Sequence, residues 1–140
     1  MRIESYSLQG RRESNEDQHY HLLNINGKKK KYNPINFISV FDGHGGKAVS
    51  KYLKDNLPPY FVKKFRNNIF CDKKKASKYF QKVSDLLQKD LKNNHPRACN
   101  YSGSTACCAV HFLDKNKNPV LWVMNVGDSR AVLCNKEGNA

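Results

Sequence analysis

Asn36-Phe-Ile-Ser-Val-Phe-Asp42-Gly-His-Gly-Gly46 is an apolar run that stops abruptly at an acid, a histidine and three glycines. A short apolar run bounded by turn residues reads as a buried strand. Asp42 is then a carboxylate held rigidly at a strand tip. The glycines beside it allow backbone carbonyls and ligands to come close, because a residue without Cβ tolerates positive φ and close approach. A hard cation bound by carboxylate, carbonyl and water oxygens suits that arrangement. A lone Asp-Gly is more often a solvated turn; His44 and the second glycine pair favour chemistry.

Three further polar clusters accompany it: Arg12 with Glu16-Asp17, Ser102-Gly-Ser-Thr105, and Gly127-Asp-Ser-Arg130. Three of the four clusters lie at expected strand ends, where side chains converge on one edge of a sheet. Neighbouring acids in extended chain point to opposite faces, so Glu16 and Asp17 are expected to take different parts, one toward a cation and one toward a water or partner. Singly, each has a plainer reading. Glu16-Asp17 could be a solvated loop, Asp128 a turn residue bonding its own backbone, Arg12 a surface cation, and Thr105 an ordinary strand residue.

The elements that must position these residues follow from periodicity. Strands are expected over residues 2–9 and 17–25, joined by the charged connection 10–16. Four lysines, Lys28 to Lys31, read as a solvated hairpin tip. Ala48, Val49, Tyr52, Leu53 and Leu57 recur at helical spacing, and Pro58-Pro59 is expected to end that helix. Residues 60–70 are ambiguous and admit a continuation of it. A second helix is expected over about 74–92, with Tyr79, Phe80, Val83, Leu86, Leu87 and Leu91 as its buried stripe. Strands return at 105–113, 120–126 and 131–134, the last leading into a hairpin turn at 136–139. Strands joined by short turns around two amphipathic helices predict an α+β fold, an antiparallel sheet with helices on one face. The exposed strand 131–134 suggests an incomplete domain.

The 140 residues read as one domain or one piece of a larger one. Apolar residues at 39% and aromatics at 11% exclude wholesale disorder. A net charge of +13 attracts phosphate-bearing partners without choosing among them. Nucleic-acid binding is disfavoured, since aromatics are not interleaved with the lysine tracts. Five cysteines without Cys-x-x-Cys read as free thiols in a reducing compartment. Cys107 and Cys108 should face opposite sides of a strand. No apolar run reaches the length of a signal peptide or membrane span. The expectation is a soluble intracellular chain, in cytoplasm or nucleus, without membrane association.

Taken together and in this order, Arg12-Glu-Ser-Asn-Glu16-Asp17, Phe37-Ile-Ser-Val-Phe-Asp42-Gly-His-Gly-Gly46, Ser102-Gly-Ser-Thr-Ala106 and Val126-Gly-Asp-Ser-Arg-Ala131 resemble the metal-dependent type 2C protein serine/threonine phosphatases. The resemblance implies an antiparallel β-sandwich flanked by helices, of which residues 1–140 would be the N-terminal, incomplete part. It implies two Mg²⁺ or Mn²⁺ ions at one end of the sandwich and a phosphoserine or phosphothreonine protein as substrate. Carried over, Asp42 would bridge the metals, with the Gly43 carbonyl as a further ligand. Glu16 would be a metal-site acid and Asp17 a holder of metal-bound water. Arg12 would grip the substrate phosphate, His44 would protonate the leaving oxygen, and Thr105 and Asp128 would support the site. The family's second half supplies two more metal-binding aspartates, and Asp55, Asp72, Asp85, Asp90 and Asp114 lack their context. Residues 1–140 alone are therefore expected to be inactive. They would be either a piece of an enzyme, completed by a second chain or segment, or a truncated pseudophosphatase that binds a phosphoprotein or partner chain.

Overall fold

Alternation along the strands decides which side of the sheet is buried. In the computed structural model, which describes residues 2–25, 27, 34–64 and 72–140, β1 (Gln18–Leu22) and β2 (Asn36–Phe41) form an antiparallel pair. The strands β5 (Ala106–Leu113) and β6 (Pro119–Val126) extend it to a four-stranded antiparallel sheet of order β1-β2-β5-β6. A second, two-stranded ladder joins β3 (Gly43–His44) to β4 (Gly103–Ser104). Phe37, Ser39 and Phe41 alternate onto one face and lie opposite Val110 and Cys108 of β5. Helices α1 (Ala48–Lys64) and α2 (Lys73–Asn94) cover that face, and α3 (Pro96–Tyr101) leads from α2 into β4. The other face carries His19, Ile38, Val40, Ala109, Leu121 and Val123, of which Val40 at 47%, Leu121 at 41% and Val123 at 45% are exposed.

The core is aromatic where the helices meet the sheet. Phe61 packs against Phe37, Tyr79 and Phe80, with ring centroids 5.3, 5.6 and 6.1 Å away. Full burial of each such side chain contributes about 1.5–3 kcal/mol. Asp72 caps α2 by accepting from the amides of Lys74 and Lys75, which satisfies two of the helix's orphan donors. The buried residues Tyr79, Phe80, Val83, Leu87 and Leu91 follow the expected stripe.

The fold is the α+β class expected, with helices on one face of the four-stranded antiparallel sheet; the other sheet among the described residues is the two-stranded β3–β4 ladder. Three expectations change, and one helix is new. Residues 2–9 and 131–134 form no strand, because a strand needs a neighbour for its backbone groups and none pairs with them among the described residues. The first helix runs through Pro58 and Pro59 to Lys64. Each proline removes a backbone donor, yet Leu57, Pro58 and Phe61 are all buried beneath the sheet, and that packing outweighs the local preference. The short helix α3, begun by Pro96 in its first turn, was not expected. The Lys28–Lys31 tip, residues 65–70 and Cys71 lie outside the described residues. Cys99, Cys107, Cys108 and Cys134 are free thiols, with Cys108 under the helices and Cys107 on the opposite face. Among the described residues no helix is long and apolar enough to cross a membrane.

Candidate functional site

The antiparallel register brings the chemistry to one end of the sheet. Gln18 pairs with Phe41 and Ala106 pairs with Val126. Asp17, Asp42, Thr105 and Gly127, each one residue beyond those partners, therefore fall in a row across the strand ends. Phe41 is fully buried and Asp42, the next residue, is exposed, so the core anchors the strand while the carboxylate stands outside it.

Thr105 holds Asp42 from both sides. The Asp42 N–H donates to Thr105 Oγ1 at 3.0 Å, and the Thr105 N–H donates to the Asp42 carbonyl at 2.9 Å. Ser129 shares a 2.6 Å hydrogen bond with the Thr105 hydroxyl, which ties the turn after β6 to the same point. Asp128 is exposed in that turn; among the described residues neither it nor Thr105 lines the cavity below. Both stand behind the site rather than in it.

A cavity of about 700 Å³ opens in front of Asp42, and Arg12, Glu16, Asp17, Gly43 and His44 line it with Asp42. Glu16 and Asp17, expected to take different parts, both border this space, Glu16 half-buried and Asp17 exposed. Asn15 turns the loop: its Oδ1 accepts from the Asp17 N–H at 2.9 Å, a local bond that re-aims the chain between the two acids. Gln9 supports the other arm, donating from Nε2 to the Arg12 carbonyl at 2.9 Å. Arg12 is exposed, and among the described residues no carboxylate forms an ion pair with it.

Gly43 is required by close approach. A Cβ there would collide with the Glu16 carbonyl oxygen and come within 2.7 Å of Ser50 Oγ. Gly103 plays the same part for the histidine, because a Cβ on it would collide with His44 Nε2. The β3–β4 ladder sets His44 opposite Gly103, so the imidazole lies over bare backbone.

Asp17 and Asp42 lie within hydrogen-bonding reach of each other. Desolvation first, then the Asp42 carboxylate and Glu16, raise the Asp17 carboxyl above its ordinary range. Two acids pressed together, with a third nearby, are a donor set that a hard divalent cation would relieve. The set is partial: among the described residues no three side chains of His, Cys, Asp or Glu form a group able to hold an ion by themselves. The residues expected at a metal centre, Glu16, Asp17 and Asp42, border the same cavity together with Gly43. Glu16 is half-buried, and its charge acts on Asp17 more weakly than that of Asp42 does.

Sequence reasoning passed over Ser50, and it quoted Asn15 and Gly103 within motifs without giving either a part. Only Asn15 carried a readable signal, an Asn two residues before an acid being a common side-chain turn.

Comparison with known proteins follows the same lines. The family model for Protein phosphatase 2C matches residues 1–140. Protein phosphatase 1L of Bos taurus is 33% identical over 138 residues, covering 96% of this chain and 36% of that protein. Probable protein phosphatase 2C 45 of Oryza sativa subsp. japonica is 38% identical over 108 residues, covering 76% of this chain and 33% of that protein. A solved bacterial serine phosphatase shares the fold with a TM-score of 0.59 at 21% identity, over 89% of this chain and 46% of its own. The chain spans about a third of the length of the curated relatives it matches.

Proposed function

Because this chain belongs to the protein phosphatase 2C family, we propose that it carries one half of a phosphatase site that hydrolyses phosphoserine and phosphothreonine in protein substrates. The observation that supports this most is the shared cavity of Arg12, Asp17, Asp42 and His44. Magnesium or manganese would be held by Asp42 and Asp17, with Glu16 and the Gly43 carbonyl at hand, and would supply activated water near neutral pH. The protein's own residues do the rest. Arg12 presents a planar fork to two phosphoryl oxygens, which fixes the ester for attack and spreads its charge. His44, backed by Gly103, is placed to give a proton to the departing serine or threonine oxygen. Thr105 clamps the Asp42 backbone so that its carboxylate keeps its aim. The Ser129–Thr105 contact ties down the turn that carries Asp128. Phosphoryl transfer asks chiefly for positioning and charge, so no covalent enzyme intermediate is needed.

A second reading, a binding-only pseudophosphatase that grips a phosphoprotein or partner chain, is favoured by the incomplete donor set. Manganese titration with an aryl phosphate distinguishes the two, done on this chain and on a longer one containing it. Activity in the longer chain, lost in Asp42→Asn and kept in Lys30→Ala, supports the enzyme. Phosphopeptide binding without turnover in either supports the binder. Residence in a reducing compartment, cytoplasm or nucleus, is part of the same proposal and rests on the four free thiols among the described residues.

A further inference from the structure

Ser50 lies in the first turn of α1, fully buried at 0% exposure, and has no part in the chemistry above. A serine inside a helix commonly bonds back to the carbonyl three or four residues earlier. Ser50 has that option, with Oγ 3.2 Å from the Lys47 carbonyl. It also lies 2.6 Å from the Glu16 carbonyl, thirty-four residues away in sequence. A hydroxyl has one proton to donate. The shorter contact takes it.

The Glu16 carbonyl is enclosed between that hydroxyl and the bare α-carbon of Gly43. This carbonyl belongs to the peptide unit joining Glu16 to Asp17, so its direction sets the plane from which the Asp17 side chain departs. The Asp17 amide of the same unit is held by Asn15. One peptide plane is thus pinned at both ends, by Asn15 on its N–H and by Ser50 on its C=O.

We propose that Ser50 is a positioning residue that aims Asp17 at Asp42 by fixing the Glu16–Asp17 peptide against the start of α1. This rests on the cation-site reading of Asp17 and Asp42. Groups that orient ligands from behind typically change metal affinity by about 10- to 100-fold when removed.

Manganese affinity of the full chain, read from the electron paramagnetic resonance of free Mn²⁺, tests it beside thermal melting. Ser39→Ala is the matched control: Ser39 is equally buried, at 2%, and its hydroxyl donates to the Tyr20 carbonyl at 3.2 Å, away from the cavity. The expected result is a similar drop in melting temperature for both variants. Manganese affinity should fall about tenfold or more in Ser50→Ala alone. Unchanged affinity in Ser50→Ala, with Asp42→Asn abolishing uptake, overturns the role of Ser50 and leaves the cation site standing. Collapse of the fold in Ser50→Ala while Ser39→Ala folds assigns Ser50 a structural role and overturns the proposal. No uptake by the unaltered chain, or none lost in Asp42→Asn, overturns the cation reading and with it this inference.

Discussion

At Asp42 the side chain is free for chemistry because its backbone is entirely spoken for. Thr105 accepts from its N–H through Oγ1 and donates to its C=O from the backbone, so Thr105→Val should remove the hydroxyl's bonds to the Asp42 amide and to Ser129 and leave that amide unsatisfied. A loss of about 1–3 kcal/mol in urea unfolding is expected, and a loss under a few tenths would argue that the hydroxyl is not the clamp. Gly103→Ala acts on the other flank. The new methyl would displace the His44 imidazole, lowering turnover in an active longer chain with little change in manganese affinity. Asp17 adds a pH dependence. Its folded pKa is raised, so the native state loses stability as pH climbs from the ordinary carboxylate range through that raised value. A divalent cation opposes the repulsion, and bound protons compete with it. The rise in melting temperature on adding manganese should therefore be larger at pH 7 than at pH 5; equal shifts would count against a cation between these acids.

At the scale of elements, the two prolines of α1 make a paired test. Pro59 is exposed within the helix, and Pro59→Ala restores a backbone donor, so stability should rise, by about 1 kcal/mol once the freer unfolded chain is allowed for. Pro58 is fully buried, and Pro58→Ala should lose packing that offsets the same gain. Calorimetry of the two variants checks both signs. These prolines also show where sequence reading stops. Period and polarity sufficed for β2, β5 and α2, whose buried faces are regular, and an apolar run between turns sufficed for β6, where Met124 alone is buried. Local punctuation misled at Pro58-Pro59, because the aromatic cluster around Phe61 is assembled from segments that a local window never sees together. Residues 2–9 and 131–134 have strand-like composition, but pairing is a property of neighbours and not of the segment. The polar clusters were legible as a set since each sits at a strand end. The contact of Ser50 with Glu16 was not, because it joins a helix start to a loop thirty-four residues upstream.

For the molecule as a whole, one sheet face lies under helices while the other shows Val40, Leu121 and Val123 to solvent. Contiguous apolar surface on an ordered sheet resembles, to a solvatochromic dye, the loosened interior of a partly folded state. Anilinonaphthalene sulfonate, an anion drawn also by the chain's positive charge, should therefore fluoresce with the native chain and dim as urea unfolds it. A bright dye signal from this protein would mark intact secondary structure rather than its loss.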